Sequence, residues 1–150
     1  MVGAGRDSFT QPWLCNISRM ATITRDDTER LVRRYFGIVA DLGSSVADLD
    51  SVVAPDAVFQ ELPNPISPGG ATRDVEATRA GFAAGKKRLT AQRIDIEEIL
   101  VMDDRAVVRS RWEGEIGTTR IVAHMAGFVR VRDGLIVEHI TYDCYEPFSL

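Results

Sequence analysis

Three residues of this chain have the side chains of a proton-transfer site: Glu61, Tyr35 and Asp143. Glu61 stands two residues before Pro63-Asn64-Pro65, a break that cannot pair in a sheet. That places it at the mouth of whatever hollow its strand lines, on the parity of Phe59. A carboxylate beside aromatic walls holds its proton more tightly than in water, which suits a general base near neutral pH. The alternative is a strand-end glutamate paired with an arginine such as Arg73. Tyr35 lies on a helical stripe with Leu31 and Leu42, where it is either a catalytic or ligand contact or plain core with its hydroxyl satisfied by a neighbour. Asp143 shares a strand face with Thr141 and His139. It is either a second acid–base group or an anchor holding the C-terminal tail through backbone amides.

Around these three stand residues that could shape a pocket. Phe59 and Trp112 could clamp a ring between them. Ser110 shares the face of Trp112, and Met125 shares that of Val129 and Val131. His139 faces inward with Asp143, although two residues four apart on a strand are too distant for a direct hydrogen bond. His124 falls on the outward parity with Arg130, unless a bulge at Ala126-Gly127 reverses it, and an outward histidine there would belong to a dimer contact. No H-x-H or H-E-x-x-H spacing occurs, so no metal site is expected. A nucleophilic triad, a phosphate loop and a dinucleotide fingerprint are also missing, so no cofactor is expected.

The elements that must position these groups are legible from periodicity. Asp133-Gly134, between two runs rich in Val, Ile, Phe and Tyr, predicts a tight β-hairpin across Arg120–Phe148. Upstream, Thr24 with Asp27 predicts a capped first helix, its stripe running through Leu31, Tyr35, Ile38 and Leu42 and closing at Gly43. Ser45 with Asp48 opens a short second helix that runs through Val53. Residues 57–62 read as a strand and 66–71 as a loop. Thr72 is the predicted cap of a third helix with Val75, Thr78, Phe82 and Leu89 on its buried stripe. From Gln92 the period becomes two, and the change of parity near Glu97-Glu98 predicts a β-bulge. Asp103-Asp104 and a loop around Gly117 separate the next strands. Three N-terminal helices, then long antiparallel strands, define an α+β domain: a cone-shaped, highly curved antiparallel sheet covered by the helices.

Bulk composition sets limits. The chain has 150 residues, 45% hydrophobic and 27% charged, enough for one well-cored domain over 24–150. A net charge of −4 gives no electrostatic footprint for nucleic acid. The basic run Lys86-Lys87-Arg88 falls at a helix end, where cations offset the macrodipole. Residues 1–23 carry no sustained apolar run and no periodicity, so they read as a poorly ordered extension, neither signal peptide nor membrane span. Two cysteines, Cys15 and Cys144, make no disulfide framework and point to a reduced, cytoplasmic setting.

Element order, VRRYF in the first helix, PDAVFQELP, and VRDGLIVEH followed by TYDCYEPF together resemble the SnoaL-like group of the nuclear transport factor 2-like superfamily. The resemblance covers roughly Thr24 to Phe148. It implies relatives among ketosteroid isomerases, polyketide cyclases and limonene epoxide hydrolases. From the isomerases it implies a hydrogen-bond donor at Tyr35 and a general base at Glu61, while the third isomerase residue falls on Gly127. The epoxide hydrolase Arg-Asp-Asp set falls on Ser110, Trp112 and Thr141, and the cyclase His-Asp pair on Gly127 and Thr141. Neither of those mechanisms carries over.

Two functions follow as expectations. One is a cofactor-independent isomerase, lyase or cyclase that abstracts a proton from a small, mostly apolar carbonyl compound. The other is a non-catalytic domain that binds a hydrophobic ligand or dimerises through its sheet. Ile136, Ile140 and Tyr142, on the outward face of the hairpin, are too apolar to leave in water and predict a homodimer through the convex face.

Overall fold

The computed structural model of the protein describes residues 23–149. The expected N-terminal extension therefore lies outside the described residues except for Ile23, which packs against the core. Helix α1 spans Arg25–Ala40 and starts as predicted. Thr24 and Asp27 form a reciprocal capping box, each side chain accepting the other's backbone N–H at 3.2 Å. The helix ends at Asp41 and not at Gly43, because the Asp41 carboxylate accepts the Gly43 amide at 2.8 Å and turns the chain there.

Helix α2, Val46–Asp50, opens on the second capping box, Ser45 with Asp48. It does not run through Val53. That residue begins β1, Val53–Glu61, where it pairs with Ile136. Pro55 falls in the gap of this pairing between Val53 and Val58, where no ladder bond is lost. The stretch read as loop and helix cap contains a short strand β2, Ala71–Arg73. Thr72 lies in it, and the cap of α3 (Val75–Arg88) is Asp74, which accepts the Ala77 amide at 2.8 Å.

Strands β3 (Ala91–Met102), β4 (Arg105–Ile116), β5 (Thr119–Arg132) and β6 (Leu135–Tyr145) complete a curved, unclosed six-stranded sheet of order β2-β1-β6-β5-β4-β3. All pairings are antiparallel except one: β1 runs parallel to β6. This corrects the expectation of a wholly antiparallel sheet. No hairpin joins β1 to β6, so no turn dictates their relative direction. Asp133 and Gly134 take φ of 52° and 75°, the paired positive values of a two-residue hairpin turn.

Two bulges shape the faces. In β3 the register shifts between Ile96 and Glu98, so Ile94, Ile96, Ile99 and Val101 all turn to the core, as the parity change predicts. In β6 a second shift makes Val131 face Ile136 while Arg130 faces Glu138, leaving Val137 as the extra residue. The sequence gives no sign of this bulge because Leu135, Ile136 and Val137 are all apolar. Its effect is to turn Ile136, expected outside, fully into the core. The helices lie on the concave face, where Val32 and Phe36 of α1 and Val75 of α3 join the buried cluster. No helix among the described residues is long and apolar enough to cross a membrane.

Candidate functional site

Four rows of the concave sheet face carry the site. Phe59, His139, Val129 and Ala106 form one row across β1, β6, β5 and β4; Glu61, Thr141, Gly127 and Val108 form the next. Asp143, Met125, Ser110 and Ile96 form the third, and Tyr145, Ala123, Trp112 and Ile94 the fourth. Tyr35 and Phe36 from α1, Leu49 from α2 and Phe82 from α3 roof these rows. Between roof and sheet lies an open-mouthed cavity of about 400 Å³. Most of its wall is apolar, with Glu61, Arg73, Ser110, His139 and Thr141 among the polar residues that reach it.

The deepest polar pair is Tyr35 with His139. Tyr35 Oη lies 3.1 Å from His139 Nδ1, and both residues are buried. Tyr35, Phe36 and Phe59 box the imidazole, with ring centroids at 5.4, 5.7 and 6.3 Å. Burial drives the His139 pKa down to about 4, so the ring is neutral at pH 7. Burial likewise raises the Tyr35 phenol well above its ordinary value.

Glu61 is on the wall, but both its oxygens are engaged. Oε2 accepts from Arg73 Nη1 at 3.0 Å, and Oε1 from Asn64 Nδ2 at 2.7 Å. Asn64 is itself fixed, because its Oδ1 accepts the amides of Ile66 and Ser67 at 2.9 Å each. The Pro-Asn-Pro break is thus a clasp that aims the carboxylate. The pairing with Arg73, weighed above as the alternative, is present.

Asp143 sits on the same inward face but beside the cavity, not on its wall. Burial, reinforced by the charge of Glu61 and opposed by the Thr141 hydroxyl, raises its pKa to about 6. Its Oδ1 makes no hydrogen bond. Tyr145, one row on, lines the cavity, and burial together with the charges of Asp143 and Glu61 raises its phenol too. Trp112 is held by its Nε1 donating to Gln92 Oε1 at 3.0 Å, while Gln92 Nε2 donates to the Val39 carbonyl at 2.7 Å. One glutamine thus ties the indole to α1.

The residues read from the sequence therefore come together: Tyr35, Phe59, Glu61, Ser110, Trp112, Met125, His139 and Thr141 all line the cavity. Sequence reasoning missed Tyr145 as a wall residue, although it shares the parity of Asp143. It also missed Phe36 and Phe82, whose helical spacing marks only a buried stripe. The register of β5 is continuous through Ala126-Gly127, so the open facing of His124 resolves outward, and its Nε2 lies 3.0 Å from Glu146 Oε1. No group of three or more His, Cys, Asp or Glu among the described residues is placed to hold a metal ion.

N-terminal helices packed on a curved, unclosed six-stranded sheet match the nuclear transport factor 2-like fold. The profile of the SnoaL-like domain matches residues 32–139, and the chain belongs to that family. Solved structures agree on the fold. IdmH of Streptomyces antibioticus, proposed as a polyketide cyclase, is 22% identical with a TM-score of 0.63, covering 77% of this chain and 91% of its own. An epoxide hydrolase of M. tuberculosis resembling limonene epoxide hydrolase is 16% identical with a TM-score of 0.68, covering 80% and 84%. A protein of Catenulispora acidiphila with a ketosteroid isomerase-like fold, solved with trimethylamine, is 18% identical with a TM-score of 0.63, covering 75% and 83%. No curated protein matches the chain.

Proposed function

We propose that the chain is a cofactor-independent enzyme that removes a proton from a small, mostly apolar carbonyl compound held in the cone. The observation that carries this reading is that Tyr35 and Glu61 reach one apolar cavity from opposite layers, α1 and β1. Glu61, aimed by Arg73 and Asn64, takes the proton from the carbon next to the carbonyl. Tyr35 donates its O–H to the carbonyl oxygen as negative charge develops there, while His139, neutral, donates from Nδ1 to the phenol oxygen and strengthens it as a donor. Phe59 and Trp112 flank the ring. The test is exchange of solvent deuterium into the α-carbon of 1-tetralone, followed by proton NMR. Exchange well above buffer that falls with Glu61→Gln and Tyr35→Phe supports the reading, and exchange at the buffer rate overturns it.

The second reading, a ligand-binding domain without catalysis, is favoured by one observation. Both Glu61 oxygens already have partners, so a substrate would have to compete with Arg73 and Asn64 for them. Saturable binding of 1-tetralone without exchange would select it.

The outer face suggests a second copy of this chain as partner. Leu100, Val107, Phe128 and Ile140 form one register row across β3, β4, β5 and β6. Leu100, Phe128 and Tyr142 are about half exposed, and the Phe128 and Tyr142 rings meet at 5.8 Å. Charges nearby are already paired, Arg109 with Glu97 and Glu98 and Arg130 with Glu138. Such an apolar patch, bordered by these paired charges and by the exposed Arg105 in the next row, can meet a second copy of itself about a two-fold axis. The free, exposed Cys144 on this face fits a reducing compartment such as the cytoplasm.

A further inference from the structure

Three buried side-chain atoms among the described residues have no hydrogen-bond partner: Ser110 Oγ, His139 Nε2 and Asp143 Oδ1. They are not scattered. Gly127 pairs with Val108 on β4 and with Thr141 on β6. Two steps from those partners, on the same face, stand Ser110, His139 and Asp143. All three are therefore diagonal neighbours of one glycine, about 7–8 Å from it between backbones. A Cβ at Gly127 would lie 2.6 Å from His139 Nε2. The edge of the imidazole thus rests on the bare glycine, which carries Nε2 into the middle of the triangle. Buried groups left unmatched in this way destabilise the fold unless a ligand meets them, and Ser110 and His139 both line the cavity.

We propose that this triangle around Gly127 is a polar subsite and that it receives a hydroxyl group borne by a largely apolar ring ligand. The inference rests on the reading of the cavity as a ligand pocket but not on proton abstraction. The chemistry of the triangle selects the class. A neutral imidazole nitrogen, a serine hydroxyl and a carboxyl oxygen offer donors and acceptors together, and a hydroxyl is the smallest group that both gives and accepts. A carbonyl can only accept and leaves Asp143 unmet. A carboxylate would face the charge of Asp143. An alkyl group would keep all three atoms unsatisfied. Met125, between Ser110 and Asp143 in their row and on the cavity wall, has the flexible thioether that yields to admit the hydroxyl.

The test compares tetralin with 5,6,7,8-tetrahydro-1-naphthol by isothermal titration calorimetry, two probes that differ by one hydroxyl. The expected result is a preference for the naphthol of about tenfold, the value of one net hydrogen bond of about 1.4 kcal/mol. Ser110→Ala and Asp143→Asn should each shrink that preference to about twofold or less. Either variant that remains folded by circular dichroism suffices. Equal binding of the two probes by the natural protein, binding of neither, or a preference that survives both substitutions overturns the subsite. Deuterium exchange into 1-tetralone is read separately. Its failure alongside an intact hydroxyl preference removes the catalytic proposal and leaves the subsite standing.

Discussion

Tyr35 on α1 and His139 on β6 meet at 3.1 Å across 104 residues of sequence, and each is the other's buried polar partner. Among three aromatic rings the imidazole stays neutral, with its pKa lowered to about 4. A lowered folded-state value means stability that is present above the unfolded value of about 6.5 and lost as pH falls through about 4. Nitrogen-resolved NMR of His139 should show a neutral ring at pH 5, where an exposed histidine is charged. A ring that titrates near 6.5 would refute the burial argument. Tyr35→Phe leaves Nδ1 without a partner and should cost about 1–3 kcal/mol in urea unfolding.

Gly127 is where the sheet makes room for that ring. With a Cβ only 2.6 Å from His139 Nε2, Gly127→Ala must displace a side chain hemmed in by aromatics. The expected loss is about 1–3 kcal/mol, the usual range for overpacking a core. The Tyr35–His139 bond should loosen with it, seen as a shifted Nδ1 resonance. A variant as stable as the natural protein with an unmoved resonance would contradict the placement of the imidazole.

What the sequence reveals here is local, and what it hides is long-range. Both capping boxes, the Asp133-Gly134 turn and the Glu97 bulge are set by residues within four positions of one another. All could be read directly. The parallel run of β1 beside β6 depends on partners some eighty residues apart and has no local mark. The Val137 bulge is masked by three successive apolar residues, so Ile136 reads as outward when it is core. For the site, alternation on β4, β5 and β6 puts Ser110, Trp112, Met125, His139 and Thr141 on one face. Arg73 could be named as one possible partner of Glu61, but nothing local says that the Asn64 loop would hold its other oxygen, nor that Asp143 would be left with an unpartnered one.

Asp143 titrates in the opposite sense to His139. Its folded-state value is raised to about 6, chiefly by burial. The stability it contributes is therefore fully present below the unfolded value of about 3.8 and lost as pH rises through about 6. Asp143→Asn removes the charge and should stabilise the protein at pH 8 relative to pH 4.5. The gain is on the order of 1 kcal/mol once solvent screening of a partly exposed group is allowed for. Melting curves of both proteins from pH 4.5 to 8 check this. Parallel curves across that range would show that the carboxyl is solvated.

Phe128 and Tyr142 stand at the centre of the exposed apolar face. If two copies meet there, Phe128→Glu buries a charge against its own symmetry mate and should convert a dimer to a monomer without lowering helix content. Multi-angle light scattering at micromolar concentration reads the mass directly. A natural protein that elutes as a monomer sinks the dimer proposal at once.

Glu61 is held by Arg73 and Asn64, and replacing it or its partner separates base from anchor. Its pair with Arg73 is partly solvated, with side-chain exposures of 21% and 37%, so breaking it should cost no more than about 1 kcal/mol. Glu61→Gln keeps the length and the acceptor facing Asn64 while removing the proton-accepting charge. The fold and 1-tetralone binding should survive, and deuterium exchange at the α-carbon should fall by about 10²–10⁴. Arg73→Gln is the companion: the carboxylate remains but loses one of its two anchors, so exchange should fall less than in Glu61→Gln. Equal and complete loss in both variants would assign the catalytic effect to the ion pair as a structural unit. Exchange that persists in Glu61→Gln would move the base to another group, with Asp143 next to be replaced.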